Sequence, residues 1–427
     1  LGNLLKDMNP ADVAELFEDL PREKMALVFR LLPKELAADA FAYMNPDEQT
    51  VLVEAFSDKE LHDVVNELYV DDAADMIEEM PANLVKRILR HTDAETRVLI
   101  NQILNYPKDS AGSIMTMEYV DLKRGMTVEE AFDRIRAIGV EKETVYTCYV
   151  TDSRRKLKGI VTVKALLLAP KNELIRNIME TNIIYVSTHT DKEEVAQLFR
   201  KYDLLALPVL DKDGLMVGIV TFDDAMDVMV EEATEDITKM AAINPSEKTY
   251  FNTSTFAHAK NRIPWLLILM LTSIITGTII TKYEDAFAAI PLLVSFIPML
   301  MDTGGNCGSQ SSTLVIRGLA LSEIHFKDIF KVIFKEFRIS IIVGAVLALT
   351  NGVRILIQYH NPNLALVIAL SLIATVIISK LIGCILPLVA SKVHLDPAIM
   401  ASPLITTLVD TFSILIYFNI ASLMFRL

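Results

Sequence analysis

Cysteine, tryptophan and patterned histidine are nearly absent from this 427-residue chain, which has three Cys, one Trp and seven scattered His. Cys148, Cys307 and Cys384 lie far apart and show neither C-x-x-C nor any other metal-ligand spacing. That excludes a disulfide framework and points to a reducing cytosol around the soluble part. No nucleophile–base pair, phosphate-binding loop or metal triad is apparent, so an enzyme is not expected. The chain opens at Leu1 rather than Met, and its native start is expected to lie outside it. No signal peptide is expected, since the first apolar run arrives only after residue 260.

What is abundant is divided. The chain is 52% hydrophobic yet carries a net charge of -14. Residues 1–262 hold 47 of the 55 acids and 31 of the 41 bases, a net of -16, whereas residues 263–427 hold 8 acids and 10 bases, a net of +2. An acidic soluble half therefore precedes an apolar half, and more than one domain is expected.

Apolar runs at 263–281, 286–315, 338–357, 364–390 and 398–424 each approach the roughly 20 residues of helix that a bilayer requires. Five spans would place the two chain ends on opposite sides. Lys260, Arg262, Arg317, Lys327, Lys331, Lys335, Arg338 and Lys392 fall on one side, against Lys282 and Arg354 on the other. The positive-inside bias makes the soluble half cytoplasmic, puts the C-terminus outside, and implies a multi-pass plasma-membrane protein.

One apolar run is interrupted by Asp302-Thr303-Gly304-Gly305-Asn306-Cys307-Gly308-Ser309-Gln310. Non-helical backbone at membrane depth survives only where it is buried in protein or lines a watery cavity. Pro291 and Pro298 weaken the helix before this stretch, and Gly304, Gly305 and Gly308 allow unusual backbone angles. The stretch is thus expected to be a helix break lining a pore, with amide oxygens of Asn306 and Gln310 facing a hydrated cation. The alternative is close helix packing through small residues.

Asp410 lies in mid-span among Thr406, Thr407, Thr411 and Ser413, and an acid at that depth is a functional hypothesis by default. Glu336 is expected at the cytoplasmic start of a span, in a solvated interfacial role. Acids and amide oxygens, taken without a positive partner in mid-span, predict a cation path. In a symmetric dimer a lone pore aspartate becomes a pair, and two carboxylates holding a hydrated ion through its waters suit magnesium.

In residues 1–108, turn signals such as Asn9-Pro10, Leu20-Pro21, Leu32-Pro33 and Asn45-Pro46 recur mostly every 11–14 residues. Short amphipathic segments lie between them, which predicts an all-α solenoid of stacked helices. Residues 109–230 repeat with a period near 60: Ser113-Ile114-Met115-Thr116 is echoed by Asn177-Ile178-Met179-Glu180, and Gly159-Ile160-Val161-Thr162 by Gly218-Ile219-Val220-Thr221. Each copy joins a helical pattern to short β-rich runs. This α/β pair resembles tandem CBS modules. Such modules often bind adenosine nucleotides through a Thr or Ser and an Asp three residues on. The second copy has Thr221 and Asp224, the candidates for ATP, while Ala165 stands in the acid's place in the first. A dimerising, signal-transmitting scaffold is the other reading.

Seven acids fall between Asp223 and Asp236 with no base until Lys239. On a helix Asp224 and Asp227 share a face, as do Glu232, Glu235 and Asp236, and like charges so spaced repel. A solvated acidic face is the ordinary fate of such a run. Clustered carboxylates are also hard ligands for magnesium or calcium, and Asp71-Asp72-Ala73-Ala74-Asp75 is likewise acid-rich without bases.

Taken together, an acidic helical N-domain, two CBS modules, an acidic linker and five spans resemble the MgtE family of magnesium channels. The most specific matches are Thr303-Gly304-Gly305-Asn306-Cys307-Gly308-Ser309-Gln310, Arg317-Gly318-Leu319-Ala320 and Pro403-Leu404-Ile405-Thr406-Thr407-Leu408-Val409-Asp410. The resemblance implies a homodimer with a pore between subunits that cytosolic magnesium closes. It implies Asp410 as the pore carboxylate, with Gly304, Gly305 and Asn306 lining the break. Asp71, Asp75 and Asp39 would be N-domain ligands, and Glu193 and Asp203 CBS-domain ligands. Asp224, Asp227, Glu232, Glu235 and Asp236 would bind metal along a plug helix over 231–260. The expected domains are 1–108, 109–230, 231–260 and 261–427. An ion-coupled transporter of other divalent metals and a membrane-tethered CBS sensor without transport are the rival readings, and no nucleic-acid partner is expected.

Overall fold

The computed structural model describes residues 5–246, 250–251, 253–284, 290–400 and 402–426. The chain forms two compact units, Leu1–Glu231 and Glu232–Leu427.

Among the described residues the N-terminal part of the first unit holds the helices α1 (Pro10–Glu18), α2 (Arg22–Phe29), α3 (Lys34–Ala42), α4 (Pro46–Ala55), α5 (Asp58–Val65), α6 (Val70–Glu79), α7 (Ala82–His91) and α8 (Ala94–Ile103). Their boundaries follow from capping. Asn9 accepts from the Ala11 amide ahead of Pro10, and Ser57 and Glu60 form a reciprocal capping box. From α1 to α8 each helix packs on the one two ahead, as the short sequence beat predicts. Over the first four helices the same beat delivers a phenylalanine each time: Phe29 meets Phe17, Phe41 and Phe56 at ring-centroid distances of 6.2, 6.1 and 5.0 Å. Edge and tilted contacts of this kind add to the burial of the rings themselves.

Next come β1 (Tyr119–Lys123), α9 (Val128–Ile138), β2 (Thr144–Thr151), β3 (Leu157–Thr162), α10 (Val163–Leu168) and α11 (Ile175–Ile178). The second copy gives β4 (Val186–Ser187), α12 (Lys192–Tyr202), β5 (Ala206–Leu210) and β6 (Met216–Thr221). The sheets have orders β1-β2-β3 and β4-β5-β6, each with one parallel and one antiparallel pair. The copies exchange their leading segments. Thr116 bridges Ile219 of the second copy, and Glu180 bridges Ile160 of the first. A Cβ on Gly159 would lie 2.7 Å from the Met179 sulfur, and one on Gly218 would lie 2.8 Å from that of Met115. That close fit is why Ile-Met and Gly-Ile-Val-Thr recur in step.

Helix α13 (Phe222–Met240) leaves β6 and ends at a turn where Ala242 adopts positive φ. The expected plug helix over 231–260 is therefore not one helix: the next, α14, runs Thr255–Lys282. The second unit continues with α15 (Ile297–Ala320), α16 (Ile329–Tyr359), α17 (Pro362–Lys392) and α18 (Ser402–Phe425). Among the described residues four helical segments are long and apolar enough to cross a membrane: Thr255–Lys282, Phe326–Tyr359, Pro362–Lys392 and Pro397–Phe425. The fifth expected span, 286–315, corresponds to α15, whose composition is too polar to join them, and its residues 286–289 lie outside the described residues.

Candidate functional site

The expected break at 302–310 is instead continuous helix. Irregular backbone comes earlier, in the 3-10 turn Pro291–Phe296. Gly304, Gly305 and Gly308 are needed for close approach rather than for backbone freedom. A Cβ at Gly304 would lie 2.8 Å from Thr375 and Val409, one at Gly305 2.8 Å from Thr406, and one at Gly308 2.7 Å from Ile405. Helix α15 is thus held tightly between α17 and α18, and small-residue packing is the arrangement found.

The other face of α15 carries Asp302, Asn306 and Gln310 at a spacing of four, all exposed in the single chain. Hydrocarbon cannot solvate such a stripe, so it requires water or a second protein surface. Asp410 on α18 is partly buried and is repelled by Asp302. The two mid-span acids therefore act on one region, beside Gly304, Gly305 and Asn306. One further expectation fails here: Glu336 is buried, not solvated at an interface. Lys380 is a buried base within α17.

In the first unit the acids converge. Asp71 and Asp72 open α6, Asp75 stands one turn on, and Asp224 opens α13. Asp71 is only 7% exposed. Burial, then Asp224 and Asp72, push its carboxyl well above the ordinary range. Burial and then Asp224 and Asp223 raise Asp72 to about 7. Asp75, at the lip and still in contact with solvent, is pushed the same way by burial and then Asp224. Asp224 rises to about 6 through burial, against the hydrogen bond that the Thr221 hydroxyl donates to it. Asp39 contributes from α3 to the rise of Asp72.

Sequence reasoning missed two members, Glu118 and Glu143. Both are isolated acids flanking strands, with no helical spacing to announce them. The Thr116 hydroxyl donates to Glu118 at 2.6 Å, and the Glu143 amide bonds the Glu118 carbonyl at 3.0 Å. Glu143 is raised to about 8 by burial and then by Asp72, Asp223 and Asp224. Asp71 Oδ1 and Glu143 Oε2 are buried without hydrogen-bond partners. An all-oxygen donor set with orphaned carboxylate oxygens fits a hard divalent ion. Among the described residues no three His, Cys, Asp or Glu side chains converge on one point as a bare-ion cage would require.

The remaining acids are distributed. Glu193 and Asp203 lie at opposite ends of α12, both exposed, so about 15 Å of helix separates them and they cannot share an ion. Burial, then Glu231 and Asp223, raise Asp227. Within the second unit, Glu232, Glu235 and Asp236 follow on α13. Burial and then Asp396 raise Asp236, and the Lys239 ammonium pairs with Glu235 and, at 2.7 Å, with Asp396. Asp396 was not anticipated, because it sits in the loop before Pro397 rather than on a helix. Thr221 and Asp224 bond each other at the start of α13, whereas in the first copy Thr162 caps α10 by accepting from the Ala165 amide at 3.2 Å.

Three family models tile the chain: a divalent cation transporter model over residues 297–420, the MgtE intracellular N domain over 8–109, and CBS domains over 111–172 and 175–231. A magnesium transporter MgtE of Thermus thermophilus is 36% identical over 99% of this chain and 95% of its own length. One of Bacillus subtilis is 35% identical over 98% and 93%. Among solved structures, the cytosolic domain of the Mg2+ channel MgtE in complex with ATP matches with TM-score 0.52 and 37% identity, over 53% of this chain and 93% of that one.

Proposed function

This chain belongs to the MgtE family of magnesium transporters, and from that premise we propose that it is a Mg2+ channel closed by the ion it carries. Its N-terminal helical and CBS region is cytoplasmic, and its apolar helices cross the plasma membrane. It works as a homodimer with five spans per subunit and its C-terminus outside. The polar stripe of α15, which lipid cannot accept, faces the second copy across a watery route. Asp410 from each subunit holds hydrated Mg2+ there through its waters, with Gly304, Gly305 and Asn306 lining the approach.

The observation that carries the gating reading is the Asp71 carboxylate, buried among Asp224, Asp72, Glu143 and Glu118 with an unpartnered oxygen. Without metal these acids repel one another. Cytosolic Mg2+ held by Asp71, Asp75, Asp224 and Asp227, with Asp39 contributing, offsets that repulsion. Glu232, Glu235 and Asp236 extend the acid run on the same helix, and Glu193 and Asp203 form separate, weaker contacts. Each ion favours the same closed state, so the response is steep. The parts are 1–108, 109–230, the connecting segment 231–260 and the pore domain 261–427. ATP binds at the second CBS copy through Thr221 and Asp224.

The test is Mg2+ flux into liposomes with internal Mg2+ varied. Flux is expected to fall steeply as internal Mg2+ reaches the millimolar range. Flux indifferent to internal Mg2+ would remove the gating reading, and dependence on a proton or sodium gradient would identify coupled transport instead.

A further inference from the structure

Lys380 on α17 is 4% exposed and Glu336 on α16 is 7% exposed, both inside helices that cross the membrane. The Lys380 ammonium donates to Ser311 Oγ at 3.1 Å, the Ser311 hydroxyl donates to Glu336 Oε2 at 2.7 Å, and the two charges stand 3.7 Å apart. Ser311 belongs to α15, so one hydroxyl joins three helices. Next to it, Ser312 donates to the Met400 carbonyl at 3.0 Å, fixing α15 to the turn before α18. We propose that Lys380, Ser311 and Glu336 are positioning residues for permeation: the Ser311 hydroxyl keeps the two charges in contact so that they cancel beside the cation route.

Stability alone does not account for the triad. A buried ion pair is often replaceable by apolar residues at no loss, whereas removing one partner strands a charge. The location gives that stranded charge a consequence. Ser311 is five residues beyond Asn306 on the same helix, about 7.5 Å along its axis. In a poorly screened interior, an uncompensated ammonium near the route repels a divalent cation strongly, while an uncompensated carboxylate attracts it. Glu336 keeps Lys380 from acting as a barrier, and Ser311 holds the two in the geometry that does so.

The inference rests on α15 bordering the ion route, so the experiment carries its own control. Full-length protein is reconstituted in liposomes and Mg2+ flux is measured for Glu336→Gln, Lys380→Met, the double Glu336→Gln/Lys380→Met, and Asp410→Ala. Glu336→Gln is expected to lower flux at least about tenfold, since it leaves the ammonium alone. Lys380→Met moves the other way, reaching half-maximal flux at lower external Mg2+. The double, which has no stranded charge, folds and returns to within about threefold of the parent. A merely structural triad would instead depress both single variants alike. Same-direction losses in the two single variants, or a double that fails to fold or conduct, overturn the proposal. Unchanged flux in Asp410→Ala overturns the route itself, so the two failures are distinguishable. If a single variant does not yield monodisperse protein, the double and the exchanged pair Glu336→Lys/Lys380→Glu decide. The exchanged pair is expected to conduct, and its silence counts against charge cancellation.

Discussion

The pocket around Asp71 and the site around Lys380 bury charge in opposite ways. Around Asp71, acid meets acid: after burial, Asp224 and Asp72 raise Asp71, Asp224 raises Asp72 and Asp75, and Asp72 raises Glu143, and two carboxylate oxygens have no donor. Around Lys380, a base, a hydroxyl and an acid complete one another. Burial of charge is expensive in both places. The Lys380 site meets that expense with its own residues and needs nothing further. The Asp71 pocket does not, and that difference is what motivates the cation site proposed there. Asp121 sharpens the contrast within the same unit. Burial would raise its carboxyl, yet hydrogen bonds from Arg134 and Lys123 hold it below the ordinary range.

The strongest way to break this comparison is to remove the uncompensated acids. Neutralising Asp71, Asp72, Asp224 and Glu143 together is expected to leave a channel open at high cytosolic Mg2+, because moving a population from mostly open to mostly closed takes about 5.5 kcal/mol of differential binding. Open probability in patch recordings checks this, and wild-type closure in that variant would reduce the pocket to an acidic surface. Second in size is Asp410→Ala, expected to cut Mg2+ flux by about a hundredfold, or ~2.7 kcal/mol, without loss of folding, since an uncharged residue is the easier occupant of that depth. Flux close to the parent's would take Asp410 out of the route. Third, Gly383→Ala would drive a methyl into the Gly308 carbonyl across the α15–α17 contact. A loss of about 1–3 kcal/mol is expected, read as a lower unfolding temperature in detergent, and an unaffected temperature would contradict the close helix approach.

The smallest effect is with pH. Asp224, Asp72 and Glu143 titrate at about 6, 7 and 8 in the folded pocket, against about 4 in an unfolded chain. Their raised values mean that protonation favours the compact pocket, and this stabilisation is lost as pH rises from 6 to 8. Metal-free protein should therefore resist protease better at pH 6 than at pH 8, and the increment added by Mg2+ should shrink at pH 6. Equal increments at both pH values would argue that the carboxylates are not the ligands.

Much of this was legible because it is periodic. The short beat of residues 1–108 carried Phe17, Phe29, Phe41 and Phe56 into one cluster, and the paired Ile-Met and Gly-Ile-Val-Thr signals reflect methionines fitting against glycines of the opposite copy. The acid run from Asp223 to Asp236 is helical, as its spacing suggested. What escaped was tertiary. Glycines at 304, 305 and 308 look like a break until α17 and α18 are seen lying against them. Lys380 and Glu336 lie 44 positions apart in sequence, with no spacing to link them, and only the fold brings them together. Glu118, Glu143 and Asp396 come from strand edges and a loop, where no helical period marks them.

The contrast between uncompensated and compensated acids is tested most directly by Mg2+-dependent protection of the full-length protein from protease, comparing Asp71→Asn with Asp121→Asn. Both remove one buried or half-buried carboxylate from the same unit. If cations occupy the acids that the fold leaves unpaired, Asp71→Asn raises the Mg2+ midpoint at least about tenfold, or ~1.4 kcal/mol, and Asp121→Asn leaves it in place. Equal midpoints in the two variants, or a shift only in Asp121→Asn, would contradict it.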